Sequence, residues 1–180
     1  MVAGLVRDEG LRQLPVFIDY GQLAREREWT ASRAIARHLS LAEPIRVDVS
    51  GYGDTIPSGL TNRTLRIRED AFLPGRNLMF LLIAAAHAYR VGARSVAIGH
   101  LNDETTLFPD QTSEFRASTA ELLAQALGRP ISVIAPLASF TKAEVIVLAA
   151  AMRISGTWSC HAGGDAPCGA CIACLEYPVG

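Results

Sequence analysis

An α/β protein with a mostly parallel sheet, doubly wound by helices, is the fold class that this sequence predicts. Three observations lead there. Short apolar runs alternate with longer stretches of helical period along the chain. The apolar runs end in polar turns, as parallel strands buried on both faces do. The chain has 180 residues, 49% of them hydrophobic, enough for one domain with a real core.

The elements follow in order. Val2 to Arg12 places Leu5, Val6 and Leu11 near one helical face and predicts a short helix. Leu14 to Ile18 is a compact apolar run that predicts a buried strand, with the polar turn Asp19-Tyr20-Gly21-Gln22 after it. Leu23 to Leu39 predicts an amphipathic helix with Trp29, Ile35 and Leu39 toward the core. Ile45 to Val49 alternates and predicts a second strand. Ser50 to Pro74 has several glycines, then a charged run, and no clear period. A stretch of that length is a functional or mobile loop, and a disordered insertion is the plain alternative.

Leu78 to Tyr89 predicts an apolar helix, with Asn77 as its N-cap and Gly92 closing it. Ser95 to Gly99 predicts a third strand, and the loop beyond it carries His100, Asn102, Asp103 and Glu104. Ser113 to Leu127 predicts a helix stopped by Gly128 and Pro130. Ile131 to Ile134 predicts the fourth strand. Thr141-Lys142-Ala143-Glu144 has the pattern of a capping box and opens a helix to about Met152. In open sheets of this kind ligands bind beyond the carboxyl ends of the strands. The tips 19–22 and 99–110 are therefore candidate site segments.

Composition excludes several classes. The net charge is −1, so no broad basic surface for nucleic acid is indicated. Residues 1–13 lack the long apolar core of a signal peptide. The longest apolar run, Leu78 to Ala88, is too short for a membrane span. A cytoplasmic protein is expected.

All four cysteines, Cys160, Cys168, Cys171 and Cys174, fall within residues 160–174. The last three are spaced C-x2-C-x2-C. Four thiolates on facing loops can enclose a tetrahedral Zn²⁺, and Gly169 permits the tight turn between two of them. An iron–sulfur cluster uses the same ligand number, and two disulfides or free thiols are the plain alternatives. His161 is adjacent and is not expected to be a ligand. The expected organisation is an α/β nucleotide-binding-like domain, 1–155, with a zinc segment, 156–180, packed on it.

Several segments share an order with one family. They are Phe17-Ile18-Asp19-Tyr20-Gly21-Gln22, Pro74-Gly75-Arg76-Asn77, Phe108-Pro109-Asp110, Thr141-Lys142-Ala143-Glu144 and Thr157-Trp158-Ser159-Cys160, followed by CxxCxxC. In this the chain resembles the 7-cyano-7-deazaguanine synthase family of N-type ATP pyrophosphatases, from about Gly4 to Cys174. The resemblance implies an adenine nucleotide alpha hydrolase-like fold, ATP, Mg²⁺ and zinc as cofactors, and a homodimer. It also implies a reaction: 7-carboxy-7-deazaguanine, ammonia and ATP give the nitrile, on the way to queuosine or archaeosine. The chain departs from the family pattern as well. The initial strand and the Ser-Gly-Gly-x-Asp-Ser phosphate loop are absent from it, the first cysteine gap is one residue short, and Glu176 stands where a basic residue is expected. The expectation is that residues 1–180 alone lack ATP hydrolysis and are less stable than a chain carrying the strand and loop. An inactive zinc-bearing homologue that binds a nucleobase-like ligand or a partner, and another adenylating enzyme acting on a base, are the alternative readings.

The resemblance assigns candidate roles. Asp19 and Lys142 are candidate catalytic residues, Asp19 toward Mg²⁺ or water and Lys142 toward a phosphate of ATP. Tyr20, Gln22, Arg76, Asn77 and Asp110 are candidate substrate contacts. Each has a structural alternative. Asp19 and Asp110 are placed to cap turns, Arg76 to pair with Glu69 or Asp70, and Tyr20 and Trp158 to serve as core aromatics.

Overall fold

The computed structural model describes residues 1–176. The last four residues of the expected zinc segment, 177–180, lie outside the described residues. The elements run α1 (Val2–Asp8), β1 (Val16–Asp19), α2 (Arg25–His38), β2 (Ile45–Asp48), α3 (Gly51–Thr55), α4 (Arg76–Val91), β3 (Ser95–Ala97), α5 (Ser113–Leu127), β4 (Ser132–Ile134), α6 (Lys142–Ala151) and α7 (Ile172–Glu176). Single 3₁₀ turns at Asp103–Thr105 and Pro109–Gln111 lie between β3 and α5. The chain gathers into two compact units. One joins Met1–Arg12 to Gly75–Arg153, and the other joins Gln13–Pro74 to the chain from Ile154 onward.

The strands are parallel, as the alternation of strand and helix requires. Among the described residues they form two sheets of two strands, β1 with β2 and β3 with β4. In the first sheet Val16 faces Ile45 and Asp19 faces Asp48. In the second Ser95 faces Ser132 and Ala97 faces Ile134.

The unit built on α4 to α6 has a hydrocarbon core. Leu81, Ala85 and Ala88 of α4 lie one above another at helical spacing and meet Val96, Leu123 and Ile131. The helix starts earlier than its apolar run suggests. Its N-cap is Gly75, at φ 73°, and not Asn77. The left-handed backbone that glycine tolerates brings Arg76 and Asn77 into the first turn. Asn77 is buried there, and its Nδ2 donates to Asp110 O at 3.1 Å. The Asp110 carboxylate takes up the Asn77 N–H at 3.4 Å and serves the helix end as a cap supplied from elsewhere. Gly92, at φ 74°, ends the helix as expected.

In the other unit α2 packs on β1 through Phe17 and Trp29, whose ring centroids are 5.3 Å apart. Leu39 and Ala36 are buried. The aperiodic segment 50–74 is ordered by packing. It contains α3, and it buries Ser58, Leu60, Ala71 and Leu73. Leu60 O accepts from Leu23 N at 2.8 Å, and Gly53 N donates to Tyr20 O at 3.1 Å. A Cβ at Gly53 would lie 2.3 Å from Tyr20 O, so only glycine lets α3 approach the end of β1 this closely.

The capping box at α6 is formed in full. Glu144 N donates to Thr141 Oγ1 at 3.3 Å, and Thr141 N donates to Glu144 Oε2 at 2.7 Å. Thr141→Ala is expected to lower unfolding free energy by about 1 kcal/mol. Urea denaturation checks this as a lower midpoint at constant slope.

Candidate functional site

The four cysteines converge, with ligand sulfurs that all lie within 4.8 Å of one another. A tetrahedral zinc ion with Zn–S bonds of about 2.3 Å spaces its sulfurs by about 3.8 Å, and Cys168 Sγ lies 4.0 Å from Cys174 Sγ. Backbone N–H groups point at the sulfurs: Cys168 N donates to Cys160 Sγ at 3.3 Å, and Cys171 N to Cys168 Sγ at 3.3 Å. Burial pushes the Cys160 thiol up and the Cys174 thiol up to about 12. At Cys168 burial also opposes ionisation. The N–H groups of Ala170 and Cys171 and the neighbouring thiols outweigh it and bring the group down to about 7. Four sulfurs this close cannot all ionise without a countercharge, and a divalent cation supplies one. The cluster can hold a metal ion such as zinc.

The cluster is seated on the rest of its unit. Cys160, Cys171 and Cys174 are buried together with Ala173, and Ile67, Trp158 and Ala162 pack around them. Trp158 Nε1 donates to Cys160 O at 2.8 Å, and the Arg27 guanidinium lies over the Trp158 ring. Arg27 also pairs with Asp165. Gly163, at φ 67°, sits against α2's start so closely that a Cβ would fall 2.0 Å from Leu23 O. Trp158 thus braces the cysteine loop.

At the end of β1, Asp19 is buried and both its oxygens are engaged. Arg46 Nη2 donates to Oδ2 at 2.6 Å and Gly21 N to Oδ1 at 3.1 Å. Arg46 also binds Glu26 at 2.6 Å and lies over the rings of Phe17 and Trp29. The side-chain bond to Arg46 holds the Glu26 carboxyl below its usual range. Gln22 is buried too. Its Oε1 accepts from Tyr20 N at 2.9 Å, and its Nε2 donates to Glu28 at 2.9 Å and to Ile18 O at 3.3 Å. Tyr20 is buried. Among these residues Arg46 escapes a reading of motifs, because its role depends on strand register.

In the α4–α6 unit the β3 exit collects a second group. Arg76 and Asn77 open α4, Asp110 caps them, and Arg76 stacks on Phe80 one turn on. Asp70, an expected alternative partner for Arg76, is bonded by Arg66. Asn102 N donates to Phe140 O at 3.1 Å, which sets the β3 loop beside the start of α6 and Lys142. His100 follows β3 and is only 7% exposed. Among the described residues neither of its ring nitrogens has a hydrogen-bond partner. Burial first, then Arg116, pushes the imidazole down to about 4; Arg76 acts the same way, and Asp110 and Asp103 oppose. The strand-end position of His100 was visible in the sequence, whereas nothing in the sequence pointed to Arg116.

A parallel α/β chain with four clustered cysteines able to hold a metal is a restricted class. The family described as queuosine biosynthesis protein QueC matches residues 1–178. The chain belongs to this family. It is similar to the 7-cyano-7-deazaguanine synthase of Campylobacter curvus, with 28% identity over 97% of this chain and 83% of that protein. The synthase of Parasynechococcus marenigrum is 31% identical over 96% of this chain and 82% of its own length. That of Archaeoglobus fulgidus is 34% identical over 83% of this chain and 65% of its own length.

Two outcomes are expected. Gly163→Ala and Cys171→Ser should each release bound metal and lower the melting temperature. Cys171→Ser acts by removing a ligand, Gly163→Ala by lifting the loop from Leu23. Metal analysis after dialysis, beside thermal unfolding, checks both. The second outcome concerns acid. The unfolded imidazole titrates near 6.5 and the folded one near 4. Between those values the unfolded chain binds the extra proton, so stability falls as pH falls through that window. His100→Phe should flatten this part of the profile of melting temperature against pH.

Proposed function

We propose that this protein converts 7-carboxy-7-deazaguanine and ammonia to 7-cyano-7-deazaguanine at the expense of ATP, in queuosine or archaeosine biosynthesis. The observation that carries the reading is membership of the QueC family over residues 1–178, supported by relatives named for this synthase. A carboxylate is a poor acyl donor until one oxygen leaves as part of AMP. Adenylation therefore precedes attack by ammonia, and a second adenylation of the amide oxygen lets the nitrile form as AMP departs. Mg²⁺ would neutralise the phosphates during both transfers.

In this reading the chain's own residues divide by task. Arg76 offers a planar fork to a carboxylate or phosphate. Lys142, in the first turn of α6, would be favoured there by a bound phosphate. Asp110 and Asn77 hold the start of α4, and so Arg76, in place. Tyr20, Asp19 and Gln22 shape the β1 turn. The metal is zinc, and its role is structural, because four protein ligands leave no open position. The reading extends to a cytoplasmic homodimer. Among the described residues no helix is long and apolar enough to cross a membrane.

The test is incubation of the protein with 7-carboxy-7-deazaguanine, ammonium and ATP, followed by mass spectrometry for the nitrile and assays of AMP and pyrophosphate. The expected result, for a chain that also carries the initial strand and phosphate loop, is nitrile with two ATP consumed per product. Binding of the acid without turnover would replace this reading with that of an inactive homologue. Arg76→Ala is expected to weaken binding of the acid or of ATP about tenfold or more, as loss of a charge-assisted hydrogen bond does.

A further inference from the structure

The groups around the exit of β3 are unequal in how they are satisfied. The acceptors are engaged. The Asp103 carboxylate receives Ser113 N at 3.0 Å on both oxygens and also binds Ser113 Oγ. The Asp110 carboxylate receives Asn77 N. The donors are not engaged to the same degree. The Arg116 side chain is only 11% exposed, and its fork carries five N–H donors. Its Nη1 donates to Gln111 O at 3.0 Å. Its Nη2 stands 3.9 Å from Asp103 Oδ1, too far for a hydrogen bond. His100, on whose charge Arg116 acts, is 7% exposed, with both ring nitrogens unpartnered among the described residues.

A buried imidazole left unpaired is costly, and such groups are rare unless they have a purpose. Hydrocarbon would fill the same space at no such cost. What His100 and the Arg116 Nη2 lack among the described residues is an acceptor within hydrogen-bond distance, and an oxyanion brings several at once. Three of these groups come from separate elements: Arg76 from the start of α4, His100 from the loop after β3 and Arg116 from α5. Both arginines act on the charge of His100, which follows the carboxyl end of β3 in a parallel strand pair, where ligands of such sheets bind.

We propose that His100 and Arg116, with Arg76 beside them, form an oxyanion subsite that binds a carboxylate or a phosphate. His100 is the neutral donor and Arg116 the charged one. Which oxyanion is natural, the carboxylate of the deazaguanine acid or a phosphate of ATP, rests on the function proposed above. The subsite itself is testable without that assignment.

The first measurement is proton–nitrogen NMR of the histidine side chains, with the His100 signals identified by their loss in His100→Phe. The probes are inorganic pyrophosphate and pyrrole-3-carboxylate. A saturable shift of the His100 imidazole with either anion, abolished in Arg116→Met, is expected. The second measurement is calorimetric titration of 7-carboxy-7-deazaguanine and of ATP into wild type, His100→Phe and Arg116→Met. A rise in Kd of about ten- to a hundredfold for the acid alone assigns the carboxylate, and the same rise for ATP alone assigns the phosphate. His100→Phe is expected to melt at or above the wild-type temperature at neutral pH, since it removes unpaired nitrogens. An imidazole that responds to neither anion overturns the subsite. So does a His100→Phe variant that loses stability and binds both compounds as wild type. If wild type binds neither the acid nor ATP while the imidazole responds to the simple anions, the proposed function fails and the subsite stands.

Discussion

Four sulfurs held within 4.8 Å of one another impose the condition on which the cysteine unit depends. Three of those cysteines are buried, and they are themselves the centre of a small hydrophobic cluster with Trp158, Ile67 and Ala162. Such a cluster has little hydrocarbon with which to order two loops. A metal ion held there would supply the missing stabilisation directly, because binding to sites that form only on folding is folding free energy. The rest of the unit serves that geometry. Gly163 lets the loop lie on the backbone of Leu23, and Arg27 ties the loop through Asp165 and Trp158.

The α4–α6 unit solves the stability problem by ordinary means. Its core of Leu81, Ala85, Ala88, Val96, Leu123 and Ile131 is apolar throughout. With packing secured there, polar groups can be buried at the exit of β3 without a structural partner. His100 is the sharpest instance: burial first, then Arg116 and Arg76, keep it neutral near pH 7 against the opposing pull of Asp110 and Asp103. The contrast with Asp19 is instructive. That carboxylate also ends a strand, yet Arg46 and Gly21 engage both of its oxygens. Two polar residues in equivalent sequence positions, just past an apolar run, thus differ wholly in how they are satisfied.

The parallel strands, the major helices and the convergence of the four cysteines were legible because each rests on local pattern. Period, caps and spacing are properties of short windows, and the Thr141–Glu144 box and the Gly92 stop appear where those windows put them. Asn77 was misplaced by two residues at the helix start, since Gly75 takes a left-handed backbone and Asp110, 33 residues on, acts as the cap. The segment 50–74 has no period to read. Its order comes from contacts with Tyr20 and Leu23, distant in sequence.

By itself, then, the sequence determined the α/β class with parallel strands, the cysteine cluster able to hold a metal, and the family, because ordered motifs and cysteine spacing survive in one dimension. Tertiary structure alone decided which polar groups are satisfied. Asp19 meets Arg46 only through the β1–β2 register, Asp110 meets Asn77 only when the 3₁₀ turn folds back on α4, and His100 finds no partner among the described residues although Asn102 and Asp103 follow closely in the chain. Hydrogen bonding acts over about 3 Å in space, and distance along the chain carries no record of it.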